Sequence, residues 1–213
     1  MRIALQLASG LMVSVWIFLL TLAFTFPFGL FVALVRMSRN GFVSWVARIY
    51  ISIMRGTPLM LQLLVVYFGP YYLFNVSLRN YPPLLAVVIA FVLNYSAYFA
   101  EIYRAGIASI PKGQYEAALV LGYSRCQTFM KIILPQVVKR ILPPVTNEII
   151  TLVKDTSLAQ VLSVLEMFTV AKQLSNAQSS LIPLMMAGVF YYVFNFLVAW
   201  VMERIEHRLD YYR

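Results

Sequence analysis

Residues 3–35 read IALQLASGLMVSVWIFLLTLAFTFPFGLFVALV, without one charged side chain. A helix that crosses a bilayer needs about 20 mostly apolar residues, and this run exceeds that. It is too long for a signal-peptide core, typically about 7–15 residues, and reads as a signal anchor. Pro27 and Gly29 lie inside it, and a helix in lipid tolerates both, often with a kink. Three more uncharged runs follow, at residues 56–78, 80–100 and 173–202. A weaker fifth, residues 141–153, contains Pro143, Pro144, Asn147 and Glu148. The two prolines weaken the start of that helix. Residues 156–165 are apolar but short and dotted with Ser and Thr, and read as a further helix or a re-entrant piece.

The composition agrees with these runs. Of 213 residues, 62% are hydrophobic and 12% charged, against roughly 45–50% and about 25% in soluble domains. Too few charges exist to cover a soluble surface, and the apolar content excludes intrinsic disorder. The length gives one membrane domain, residues 1–213, without room for a separate catalytic module. The single cysteine, Cys126, forms no internal disulfide, and no metal-ligand spacing occurs. The single histidine, His207, lies in a charged C-terminal tail without catalytic partners.

The net charge is +9, and the basic residues fall between the apolar runs rather than in a nucleic-acid patch. With five spans and the N-terminus outside, thirteen Lys and Arg lie on the inner side. They are Arg36, Arg39, Arg48, Arg55, Arg104, Lys112, Arg125, Lys131, Lys139, Arg140, Arg204, Arg208 and Arg213. Four, Arg2, Arg79, Lys154 and Lys172, lie outside. The positive-inside rule therefore favours five spans with the N-terminus out and the C-terminus cytoplasmic.

The longest polar interval, about residues 111–135, separates the third and fourth spans. Pro111 and Gly113 stop the preceding helix, and 114–121 are good helix formers. Gly122 turns the chain, and Ser124 can cap a second short helix lasting until Pro135. Ala117, Ala118 and Gly122 leave a surface nearly free of side-chain bulk. Such a pair of helices suits docking into another protein's groove, or forms an ordinary interfacial hairpin.

The spacing Glu116-Ala117-Ala118, three residues, Gly122, nine residues, Ile132-x-Leu134-Pro135 resembles the cytoplasmic "EAA" loop of permease subunits in bacterial ABC importers. Arg55-Gly56-Thr57-Pro58, followed by Gln62, is similar to a signature of their polar amino acid branch, the histidine, glutamine and arginine-type permeases. So are residues 94–107 and 154–158. The resemblance implies an all-α, type I importer permease with a cytoplasmic two-helix coupling loop, in the bacterial inner membrane. It implies a second permease subunit, identical or homologous, and cytoplasmic ATPase subunits that receive the loop. It also implies an external solute-binding protein that delivers the amino acid. The chain lacks the phosphate-binding Gly-rich loop ending in Lys-Ser/Thr. No cofactor is therefore expected on it, ATP and Mg belonging to the ATPase, and the chain is not itself an enzyme.

Acids within a bilayer are functional or paired. On a helix Asn94, Ala97, Tyr98 and Glu101 share a face. Asn94 and Glu101 either line a pathway, or Glu101 is a structural partner of Arg104. Asn147, Thr151 and Asp155 follow i, i+4, i+8 with Glu148 beside them, a polar column of roughly 12 Å. It cannot face lipid. It either borders the substrate path together with Thr156 and Ser157, or packs helices by hydrogen bonds. Lys154 and Asp155 are placed to offset each other's charge. Thr57 and Gln62 are further path candidates, and Pro58 is either a hinge or a first-turn helix proline. Tyr67, Tyr71, Tyr72 and Trp200 suit the interface belts, while Phe168 and the Tyr191-Tyr192 pair read as packing. A passive channel or secondary carrier leaves the EAA spacing without purpose. A membrane-embedded enzyme lacks a Ser/His pair or an acidic metal motif.

Overall fold

The computed structural model describes residues 2–75, 77 and 81–209. Arg79 and Arg213 of the charge balance, and the run ends at 78 and 80, lie outside them. Every regular element among the described residues is helical. They are α1 (Arg2–Arg36), α2 (Gly41–Gly56), α3 (Leu59–Phe74), α4 (Pro83–Ala108), α5 (Lys112–Val120), α6 (Arg125–Thr128), α7 (Leu134–Asp155), α8 (Met167–Gln178) and α9 (Ile182–Leu209). A π-turn, Phe129–Ile133, joins α6 to α7, and a 3-10 helix, Thr156–Leu162, follows α7.

α1, α4 and α9 are each long and apolar enough to cross a membrane. α2 and α3 pass the same test as a pair bent by 113°. The second uncharged run is thus a 16-residue helix with an elbow before it. The last strong run, 173–202, is broken too. α8 ends at Ser179 in the left-handed conformation, φ 48°, and α9 starts at Ile182.

α7 departs furthest from expectation. It is one helix of 22 residues that begins at Leu134 and runs through Pro143 and Pro144. Each proline withholds one N–H and frees the carbonyl four residues earlier. A helix packed among others in lipid absorbs that loss. Nor does the chain stop at Pro135. The missing N–H there is met by the π-turn just before, where the Leu134 N–H reaches back to the Phe129 carbonyl.

α4 is the central helix, packed on α1, α2, α3 and α7. Ala86, Ala90, Ala97, Ala100 and Gly106 are buried and let neighbours approach closely. Phe91, Tyr95 and Phe99 fill the core with Ile17 and Phe18 of α1 and Ile149 and Leu152 of α7. α1 and α9 turn Trp16, Leu19, Phe24, Val189, Tyr192, Phe196 and Trp200 outward. A soluble fold would hide these side chains, and a bilayer accepts them.

Candidate functional site

The Arg55–Gln62 stretch folds into the elbow between α2 and α3. In a continuous helix the Met54 carbonyl would accept from the N–H of residue 58. That residue is Pro58, which has none, and it caps the start of α3 in an extended conformation, φ −63°, ψ 132°. Side chains replace the lost donor. The Gln62 Nε2 donates to the Met54 carbonyl at 3.0 Å, the Thr57 carbonyl at 3.1 Å and Thr57 Oγ1 at 2.8 Å. Its Oε1 accepts from Asn94 Nδ2 at 3.0 Å, and the same Nδ2 donates to the Met54 carbonyl at 3.0 Å. Gln62 and Asn94 are both buried, and their polar atoms point into the subunit.

Beside the elbow a cavity of about 430 Å³ opens between α4 and α7. Arg55, Tyr98, Glu101, Arg140 and Glu148 bring charges of both signs to its wall. The Arg55 guanidinium lies 5.2 Å from the Tyr98 ring centre, within cation–π range. Glu101 takes a hydrogen bond from Arg104 Nε at 2.8 Å and forms an ion pair with the same side chain. It is both a paired acid and a cavity residue.

All four residues of the polar column are on α7. Asn147 and Thr151 are exposed, and Glu148 is half-buried. Thr151 Oγ1 donates to the Asn147 carbonyl at 2.9 Å. Asp155 feels the Lys154 charge but makes no direct ion pair with it. Its Oδ2 accepts from the Tyr95 hydroxyl at 2.7 Å, sixty residues away on α4. Thr156 is buried and donates to the Val153 carbonyl at 2.8 Å, whereas Ser157 donates to the Lys154 carbonyl at 2.8 Å. Each hydroxyl thus helps to tighten the end of α7.

In the 111–135 segment the first expected helix forms as α5, whereas the second, α6, is four residues long and passes through the π-turn into α7 instead of ending at Pro135. Gly122 sits at φ +80°, a conformation that glycine alone adopts without strain. Ser124 caps α6 in a reciprocal pair with Gln127, at 3.3 and 2.9 Å. The bare surface is not as expected. Ala118 is 1% exposed and faces inward, while Glu116, Ala117 and Pro135 are exposed. Leu134 and Ile132 are half-buried, beside the small core of Ile110, Ile133 and Val137. The outward feature is apolar: Leu119, Val120 and Leu121 are 58%, 89% and 73% exposed.

A further buried acid escaped the sequence reading. Glu166 is 0% exposed and caps α8. It accepts from the Phe168 and Thr169 N–H groups at 2.7 and 2.6 Å, from Thr169 Oγ1 at 2.8 Å and from the Tyr191 hydroxyl at 3.0 Å. Tyr191 is therefore more than packing. The signal lay in an acid placed directly before a helix-forming stretch, where it caps free N–H groups. Among the described residues no group of three or more His, Cys, Asp or Glu is placed to hold a metal.

Residues 25–211 match the model of the binding-protein-dependent transport system inner membrane component. The L-cystine transport system permease protein TcyB of Bacillus subtilis is 38% identical over 97% of this chain and 87% of its own length. The arginine transport system permease protein ArtQ of Bacillus subtilis is 35% identical over 94% of this chain and 90% of its own. An amino acid ABC transporter crystallised with histidines superposes with a TM-score of 0.89, at 32% identity, over 97% of this chain and 95% of that one. With an apolar helical bundle, an ordered EAA loop and these likenesses along nearly its whole length, the chain belongs to the inner membrane components of binding-protein-dependent transport systems, as a permease subunit.

Proposed function

We propose that this permease carries a polar L-amino acid inward, released to it by an external solute-binding protein and driven by cytoplasmic ATPase subunits. The exposed Leu119-Val120-Leu121 ridge carries this reading. It sits on a short helix apart from the long apolar ones, next to a glycine turn. An apolar ridge of this kind calls for a protein groove. α1, α3, α4, α7 and α9 make the five crossings, with the N-terminus outside and the C-terminus in the bacterial cytoplasm. The basic residues at the α1–α2 and α4–α7 connections favour that orientation.

The cavity between α4 and α7 supports an amino acid as cargo. Glu101 and Glu148 offer carboxylates to an ammonium, and Arg55 and Arg140 offer guanidiniums to a carboxylate. Both ends of a zwitterion find a partner in one chamber. Asn147 and Thr151 extend the polar surface along α7, towards a second permease subunit across the path. Thr57, Gln62 and Asn94 shape the elbow beside it.

The test replaces Val120 with Asp in the assembled importer. A carboxylate forced into an apolar cleft disrupts docking, while an exposed position leaves the permease itself within about 0.5 kcal/mol of its normal stability. We expect the variant to reach the membrane but to lose co-purifying ATPase and amino-acid-stimulated ATP hydrolysis. Normal assembly and coupled uptake would overturn the proposal.

A further inference from the structure

α2 has three faces. Val43, Ala47, Tyr50, Ile51 and Met54 are buried or half-buried towards the bundle, and the Tyr50 hydroxyl donates to the Leu93 carbonyl of α4 at 2.5 Å. Phe42, Trp45, Val46, Ile49 and Ile53 recur at helical spacing on a second face, and all are exposed. Ser44, Arg48, Ser52 and Arg55 make a third. A helix with one protein-facing, one apolar and one basic side matches a protein wall, acyl chains and headgroups in turn. The 113° bend from α3 agrees, because a helix turned that far from a crossing neighbour runs close to the membrane plane.

The charge is one-sided. Arg36, Arg39, Arg48 and Arg55 fall within twenty residues, and the first acid anywhere in the chain is Glu101. Arg36 Nη1 donates to Ser44 at 3.1 Å, and Arg55 lies over Tyr98. Arg39 and Arg48 are exposed and have no ion pair or hydrogen-bond partner among the described residues. Two unmatched guanidiniums flank an apolar face, so the missing partner is an anion at an apolar boundary. We infer that α2 is an interfacial helix that binds anionic phospholipid of the inner leaflet, with Arg39 and Arg48 holding the phosphates and Phe42 and Trp45 set among the acyl chains. A zwitterionic lipid offers the same phosphate but sets its own cation beside it, so it competes less well for the two arginines. The inference rests on the inward orientation proposed above.

Trp45 provides the readout. The assembled importer, with Trp16→Phe and Trp200→Phe so that Trp45 is the one tryptophan of this chain, is placed in vesicles of mixed phosphatidylcholine and phosphatidylglycerol, and the same importer with Trp45→Phe as well supplies the background from its other subunits. Either lipid carries the bromine quencher at the same mole fraction. Brominated phosphatidylglycerol is expected to quench Trp45 more strongly than brominated phosphatidylcholine. Arg39→Gln or Arg48→Gln should lower that lipid's relative affinity about fivefold each, and Arg39→Lys with Arg48→Lys should restore most of it. Equal quenching by both lipids would overturn the inference. So would no quenching by either, which would place protein over the face. If the Gln variants shed the ATPase while the lipid preference stays, the arginines bind an acidic protein and the inference also fails. Amino-acid-stimulated ATP hydrolysis in the same vesicles tests the permease reading separately, whatever Trp45 reports.

Discussion

The elbow between α2 and α3 should be held by coupled side chains, and a double-mutant cycle on Gln62 and Asn94 measures that coupling. Gln62 has two N–H hydrogens and three acceptors within 3.1 Å, so at most two bonds are fully formed at once. Adding the bond accepted from Asn94, Gln62→Ala removes about three hydrogen bonds. At about 1 kcal/mol each, less in membrane proteins, the loss is roughly 2–3 kcal/mol. For a chain of this size that lowers Tm by about 5–10 °C. Asn94→Ala removes two bonds, to Gln62 and to the Met54 carbonyl, for about 1–2 kcal/mol. The two residues share a bond and an acceptor, so the double variant should lose less than the sum, by roughly 0.6–1.7 kcal/mol. Unfolding of the purified importer in detergent, followed by helical circular dichroism against increasing sodium dodecyl sulfate, gives the four values. Strict additivity, within about 0.3 kcal/mol, would refute the idea that Gln62 and Asn94 jointly replace the N–H that Pro58 lacks.

Other substitutions probe the remaining joints. A Cβ on Gly10 would stand 2.8 Å from Met167 Cα, a backbone atom. On Gly106 it would collide with Ile141 Cγ2, which sits on a branched carbon that is stiff within a helix. Gly10→Ala and Gly106→Ala should therefore each lower Tm, and an unchanged Tm in either would contradict the packing of α1 on α8 or of α4 on α7. Gly122→Val has open space for its Cβ but must hold φ +80°. It should cost about 1–2 kcal/mol of local order in the loop, read as faster amide exchange over residues 119–124. Tyr95→Phe deprives Asp155 of its hydrogen bond, while Asp155→Asn keeps an acceptor for Tyr95. The first should destabilise by about 1–2 kcal/mol and the second by less, in the same detergent titration. Glu166→Gln retains one carbonyl oxygen for four donors and sets its own N–H₂ against them, so it should be nearly as unstable as Glu166→Ala.

The sequence displays the long runs because lipid burial acts on each residue in place, and α1 and α4 follow their uncharged stretches closely. The EAA loop is legible for a similar reason. Gly122 and Ser124 act within three or four residues of themselves. Non-local terms decide the rest. Pro143 and Pro144 argue against a helix by local rules, yet neighbours on both sides hold α7 through them. Ala118 looks like part of a bare docking surface until the 110, 133 and 137 core sets which side of α5 turns inward. Tyr95 and Asp155 are far apart in the chain, and no spacing predicts their bond. Glu166 looks like one more acid after an apolar run. Only the approach of Tyr191 from α9 shows that it ties two helices together.

The polar groups of the long helices divide into two kinds. Gln62, Asn94, Asp155 and Glu166 are each met by partners within the subunit, so lipid or water outside would not change what they bind. Among the described residues Asn147, Thr151 and Lys154 take no side-chain partner from another helix, and they remain exposed along one face of α7. In a bilayer the open Asn147 amide and Lys154 ammonium on that face cannot border acyl chains, since each unsatisfied group there costs several kcal/mol, while the Thr151 hydroxyl between them is met only by its own helix. Water or a second polar protein surface must cover that line. The cavity holding Glu101 and Glu148 opens beside it. In the proposed function a single copy would supply half of the path, and the second permease subunit would turn that half into a closed one.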